Sequence, residues 1–153
     1  MNTLTFDIET TGLSLKNDRI LCVAIKVNNS ETTVYNDIGS FSDDWKEELE
    51  SKDYLKIGHN LPFDIKFLRK QWGINVCGPY FDTKIASFYN NPHRIHKLKT
   101  IAKNVLNIDA TERKDLIGKG QKKLTMEQIP TEELHKYNKS DVDLTYKLYQ
   151  LWK

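Results

Sequence analysis

Three strand-like segments crowd into the first 36 residues of this chain, and that order restricts its fold more than any other feature. Leu4 and Phe6 alternate with Thr3, Thr5 and Asp7, the period-2 pattern of a strand. Thr10-Thr11-Gly12 breaks it. Arg19 to Val27 is denser in apolar and β-branched residues, Glu31 to Asn36 alternates again, and Asn28-Asn29 between them is hairpin turn chemistry. Three consecutive antiparallel strands are expected. Helical signals then take over. Ser42 can cap a helix over Asp43 to Ser51, Tyr54 to Gly58 reads as a short strand, and Pro62 opens a helix capped by Asn60 and ended by Gly73. Two more helices fit Asp82 to Tyr89 and Leu98 to Leu106. Asp109 to Glu127 is polar and reads as a loop. The last helix is expected from Thr131, its cap, to Leu151, with Pro130 just before it. A β-meander followed by helices alternating with a strand indicates an α/β layer with a mixed sheet.

Length and composition narrow the partners. With 153 residues, 39% hydrophobic and 29% charged, the chain suits one globular domain over residues 1–153. The longest apolar run, Ile20 to Ile25, is far short of a membrane helix, and no basic or apolar leader precedes the first strand. No membrane partner and a cytoplasmic location are therefore expected. Richness in lysine and asparagine points to an AT-rich genome, and so to a bacterial or phage-infected cell. Cys22 and Cys77 have no CxxC spacing, which indicates neither a disulfide scaffold nor a cysteine zinc site. The net charge of +2 averages two opposed regions. Glu31 to Tyr54 holds eight acids and two lysines, whereas Arg94 to Lys123 holds nine Lys and Arg against three acids. A polyanion would meet the second region and avoid the first.

Four carboxylates stand where carboxylates are costly. Asp7 and Glu9 close the first strand two residues apart, so both project to one side, where like charges oppose each other's ionisation. Asp141 falls on the apolar stripe of the last helix with Leu134, Leu144, Leu148 and Leu151, and Tyr137 lies one turn before it. Asp64 sits in the first turn of the helix that Pro62 opens. Each alone has an ordinary explanation: a frayed strand end, a buried Tyr–Asp hydrogen bond, a helix cap. Four acids from three elements converging on one point would instead form an oxygen-only site suited to Mg²⁺ or Mn²⁺. Two such ions clamp the attacking and leaving oxygens of a phosphoryl displacement.

The same residues carry a family resemblance. Asp7-Ile8-Glu9-Thr10 resembles the first motif of DEDD-type 3′–5′ exonucleases, His59-Asn60-Leu61-Pro62-Phe63-Asp64 the second, and Tyr137-Asn138-Lys139-Ser140-Asp141 the third in its tyrosine form. Phe81 to Phe88, His96 to Ala102 and Ile117 to Thr125 are similar to the matching stretches of the proofreading domain of bacterial DNA polymerase I and its family A relatives. The likeness covers nearly the whole chain. It implies a ribonuclease H-like fold, a mixed five-stranded sheet with the Asp7 strand in the middle. It implies a two-metal (Mg²⁺ or Mn²⁺) 3′–5′ exonuclease of single-stranded or frayed DNA, free-standing or beside a separate DNA polymerase. Asp7 would bridge the metals, Glu9 and Asp141 complete one site, and Asp64 hold the second largely through water. Tyr137 would orient the attacking water. Leu13 matches the wedge beside the terminal base, while Thr10, Asn60, Phe63 and Arg94 match positions that meet the terminal nucleotides or a phosphate. Arg113 stands where polymerase-linked relatives usually carry an aromatic residue, and an arginine there can stack on a base or contact phosphate.

Two other readings are kept open. RNA would serve as substrate if the chain is an RNA-trimming relative, and no residue visibly reads a 2′-hydroxyl. A binding module without catalysis is the third, against which the intact set of five motif residues argues. His93 and His96 lack a third ligand for zinc. Trp45, Trp72 and Trp152 read as packing residues, and Lys97, Lys99 and Lys103 as either a solvated helix face or a phosphate-binding one.

Overall fold

The computed structural model describes residues 1–40 and 43–153. Its elements run β1 (Asn2–Thr10), β2 (Ile20–Val27), β3 (Thr33–Tyr35), α1 (Asp43–Glu50), β4 (Tyr54–Gly58), α2 (Leu61–Phe67), β5 (Tyr80–Asp82), α3 (Thr83–Asn90), α4 (Leu98–Ile101), α5 (Arg113–Ile117) and α6 (Thr131–Trp152). The sheet order is β3-β2-β1-β4-β5. β1 pairs antiparallel with β2 and parallel with β4, and β4 pairs parallel with β5. The expected mixed five-stranded sheet with β1 in the middle is thus present.

Its two faces bury different things. Leu4, Phe6 and Ile8 of β1 pack with Val23 and Ile25 of β2 against Leu49 of α1 and Leu61 and Phe67 of α2. The opposite face of β1, carrying Thr3, Thr5, Asp7 and Glu9, turns toward α6, which packs on β1, β2 and β4. A second cluster joins Leu98, Ile101 and Ala102 to Leu144 and Leu148 of α6. Trp45 and Trp72 pack against the first cluster and Trp152 against the second. The β2–β3 connection uses Asn28 in a left-handed conformation, φ 49°, and its Oδ1 accepts from the Thr3 amide at 2.9 Å. Gly73, φ 66°, closes the π-helical turn Leu68–Trp72 that extends α2.

Four details depart from the sequence reading. Asn60 does not cap α2 with its side chain; it is left-handed, φ 67°. The cap is Asp82, whose carboxylate accepts from Asn60 N at 3.0 Å, Leu61 N at 2.9 Å and Lys84 N at 2.9 Å, so one side chain serves α2 and α3. Asp82 can do so because it both ends β5, the neighbour of β4, and stands at the N-cap of α3. The stretch Asp109 to Glu127 is not a plain loop: it contains α5 and two 3₁₀ turns. Leu116 and Ile117 hold it against Cys22, Met126, Ile129 and Leu134. Leu151 is 55% exposed, and the buried stripe of α6 instead includes Asn138 and Thr145. The proposed Ser42 cap lies outside the described residues. No helix among the described residues is long and apolar enough to cross a membrane.

Asp82→Ala strips three backbone amides of their acceptor, and a lost helix cap costs about 0.5–2 kcal/mol. Denaturant unfolding should register a loss in that range or above it. A midpoint equal to wild type would show that water replaces the cap.

Candidate active site

The site forms where β1 outruns β4. The parallel ladder between them ends at Thr5↔Ile57, and β4 stops at Gly58, so the far part of β1 has a free edge. Asp64 fills it: its Oδ1 accepts from the Ile8 amide at 3.0 Å. A helix from one layer thereby reaches the strand whose acids face the other layer. The antiparallel register of β1 with β2 then shifts between Glu9 and Thr10, skipping Leu21. Such an irregularity bends the strand and re-aims side chains.

Across from β1, α6 supplies Asn138 and Asp141. Ligand atoms of Asp7, Glu9 and Asp141 lie within 4.8 Å of one another. No other group of three or more His, Cys, Asp or Glu side chains among the described residues has this arrangement. Asn138 is fully buried and its amide donates to Asp7 Oδ2 at 2.7 Å and to Asp7 O at 3.2 Å. The Asn138 Oδ1 accepts in turn from the Cys22 thiol at 3.4 Å. Asn138 was missed as a site residue; a polar side chain four residues after Leu134, on the buried side of the same helix, was the available signal.

Lys99 was misassigned. It is not on a solvated face but 8% exposed, ion-paired with Asp141, with Nζ 4.4 Å from the Tyr137 ring centroid. Its neighbours explain the position: Leu98 and Ile101 anchor α4 to α6, and the residue between them is turned into the acidic cluster. Lys97 is exposed and Lys103 pairs with Asp109, so the solvated reading holds for those two.

Electrostatics follow from this crowding. Burial pushes Asp7 up to about 7, against the opposing pull of Lys99 and of the Asn138 hydrogen bond. Burial, with Asp7 adding to it, pushes Glu9 up to about 8, against Lys99 and Arg113. Asp64 is raised by burial and then by Asp7. The Tyr137 phenol is raised by burial and by Glu9 and Asp7, so it stays protonated. Lys99 is lowered to about 8 by its own burial, with Asp7 and Glu9 resisting. Carboxylates held uncomfortably close, supplying only oxygens, fit a hard divalent cation. The ammonium of Lys99 already lies among them as a cation.

The other expected contacts are spread around the rim. Thr10 is buried and donates to Gly12 O at 2.6 Å. Leu13 is 76% exposed and shares a cavity with Asn60 and Phe63. Asn60 Oδ1 accepts from Lys84 Nζ at 3.1 Å, and Phe63 packs on Phe67. Arg94 has a buried Nη1 with no hydrogen-bond partner. Arg113 is near enough to lower Glu9. His96 Nδ1 lies 2.9 Å from Ser87 Oγ, so it does not pair with exposed His93 around a metal. Below the rim, His59 spans Thr83 Oγ1 at 2.9 Å and His96 O at 3.1 Å, and burial lowers its pKa to about 4, which keeps it neutral.

Fold and site together define a nuclease built on a ribonuclease H-like sheet. The family model for 3′-5′ exonucleases matches residues 1–153, and the chain belongs to that family. DNA polymerase I of Pseudomonas aeruginosa is 27% identical over 97% of the chain, and that of Borreliella burgdorferi 31% identical over 63%. The chain spans 18% and 10% of the lengths of these two relatives. Among solved structures, Brucella melitensis NrnC superposes with a TM-score of 0.79 at 25% identity, covering 98% of this chain and 71% of that one. NrnC with bound Mg²⁺ gives 0.76, also at 25% identity and the same coverage. Escherichia coli RNase D, an exoribonuclease involved in structured RNA processing, shares the fold at 14% identity and TM-score 0.72, over 97% of this chain and 39% of its own.

Two measurements probe the site without turnover. In the metal-free fold Asp7 and Glu9 keep their protons up to about pH 7 and 8, whereas unfolded carboxylates lose theirs near pH 4. Between those limits the native state binds more protons, so metal-free stability falls as pH rises. Melting temperature should therefore drop between pH 5.5 and 8.5, and added Mg²⁺ should restore it at the upper pH; a flat or rising profile contradicts the assignment. Asp64→Asn keeps an acceptor for the Ile8 amide and should melt near wild type. Asp64→Ala leaves that amide unpaired, at a cost of about 1–3 kcal/mol. Equal stability of the two variants would mean the hydrogen bond contributes nothing.

Proposed function

We propose that the chain is a two-metal 3′–5′ exonuclease that removes nucleoside 5′-monophosphates from single-stranded or frayed 3′ ends of DNA. The observation that carries this reading is the convergence of Asp7, Glu9 and Asp141 from two elements, with Asp64 clamped to the same strand and Tyr137 one turn before Asp141. Asp7 acts on both Glu9 and Asp64 and would be the ligand shared by two ions; Glu9 and Asp141 would complete one metal position, and Asp64 would serve the second. Divalent ions held there would lower the pKa of a water and offset charge developing on the phosphate. Tyr137 keeps its proton and so can hold that water by hydrogen bonding without acting as a base. Asn138 fixes the Asp7 carboxylate. Leu13 stands free to wedge beside the terminal base, above Asn60 and Phe63, while Arg94 and Arg113 can take phosphates. DNA is preferred as substrate because the chain resembles DNA polymerase I along 97% of its length. A separate polymerase as partner fits the same resemblance.

RNA is the second reading, favoured by the likeness to NrnC, a structure of which is bound to pGG. Matched 5′-labelled DNA and RNA oligonucleotides decide between them. With Mg²⁺ or Mn²⁺, DNA should give a descending ladder that EDTA abolishes; faster decay of RNA would reassign the substrate. Asp7→Asn should reduce cleavage to background. Tyr137→Phe should slow kcat by about 10²-fold or more, the range of a positioned proton-handling group. No cleavage of either polymer with both metals would leave only the binding-module reading.

A further inference from the structure

An open cleft of about 530 Å³ runs from the active-site rim between the β1–β2 loop and the α5 region. Its walls hold Arg113, Lys114 and Lys123, with Thr11 at the β1 end. Its floor includes Ile117 and Met126. No acidic side chain lines it among the described residues. The three cations are exposed, and among the described residues none forms a salt bridge or a side-chain hydrogen bond, in contrast to Lys99 with Asp141 and Lys103 with Asp109. Of the nine basic residues between Arg94 and Lys123, two are paired elsewhere, and three of the others are gathered here.

The cleft is joined to the catalytic acids. Thr11 directly follows the last residue of β1, and Arg113 acts on both Glu9 and Tyr137. Cationic walls above an apolar floor match a single polynucleotide strand, whose phosphates seek charge while its bases seek apolar surface. The volume is within the range of sites that enclose small ligands, so it admits a nucleotide unit but no duplex. We propose that this cleft is an upstream subsite, in which Lys114 and Lys123 bind phosphates on the 5′ side of the scissile bond and Ile117 and Met126 support a base. The subsite rests on the exonuclease reading, since it assigns the strand a direction away from the cut 3′ end. It makes the protein sensitive to substrate length.

Fluorescence anisotropy with 5′-labelled oligothymidylates of two to eight nucleotides tests it, using Ca²⁺ in place of Mg²⁺. Wild-type affinity should rise at least 10-fold from the dinucleotide to the pentamer and then level off. The double variant Lys114→Ala/Lys123→Ala should bind all lengths as weakly as the dinucleotide, with a salt dependence shallower by about 1–2 in log–log slope. Lys114→Arg/Lys123→Arg should restore the length dependence, which a merely structural role in folding would not require of charge. Equal affinity of wild type for all lengths, or wild-type binding by the alanine variant, overturns the subsite. Hydrolysis of the p-nitrophenyl ester of thymidine 5′-monophosphate, which reaches only the catalytic acids, is measured in parallel on wild type. Ester cleavage without length dependence removes the cleft and leaves the exonuclease reading; length-dependent binding without any cleavage does the reverse.

Discussion

Four carboxylates drawn into one partly buried pocket repel each other, and most of the structure near the site serves to hold them there. Asp7 and Glu9 cannot separate because they occupy alternate positions on the central strand, which pairs with β2 at both residues and with β4 as far as Thr5. Asp141 cannot withdraw because α6 is pinned to β2 through Leu134 and Cys22 and to α4 through Leu144 and Leu148. Asp64 is held by the Ile8 amide. Each acid's position is therefore set by backbone or core packing, with Asn138 and Lys99 holding the Asp7 and Asp141 carboxylates. Placing the site at the middle of the sheet is what makes this possible, since an edge strand could bend away.

The carboxylate positions were legible in the sequence because they violate a pattern. Asp7 and Glu9 place like charges on one side of a strand, and Asp141 interrupts an apolar stripe, so local periodicity exposes all three. Their partners were less visible. Asn138 also lies on the buried side of α6, but an uncharged amide interrupts hydrophobicity less than a carboxylate does. Lys99 was obscured by Lys97 and Lys103, which share its charge but not its direction; only the packing of Leu98 and Ile101 on α6 settles which lysine turns inward. Asn60 carried the residue type and position of a cap. The tertiary contact with Asp82, 22 residues away, displaced it, and no local rule could have shown that. The short α5 escaped because five residues carry too little periodicity to reveal a helix.

Charge distribution joins these levels. A near-neutral chain conceals an acidic pocket and a basic border, and the fold separates them by only a few residues. Arg113 sits at the junction, acting on Glu9 from one side and lining the cleft from the other. A polyanion approaching this border meets free cations before it meets the acids. That order of encounter lets a strand dock without the acids having to attract it.

Lys99 gives the acidic pocket a second property. Without a cation, three close oxygens at Asp7, Glu9 and Asp141 would be ionised only at a heavy desolvation cost. The raised pKa values of Asp7 and Glu9 show part of that cost being avoided by protonation. The ammonium beside Asp141 avoids another part by pairing. Neither device requires a metal ion. A divalent cation held by these acids would displace protons from Asp7 and Glu9 and would compete with Lys99 for Asp141. Its affinity would then be a difference between two cations' interactions with the same oxygens, and would depend on α4 as well as on the acids themselves.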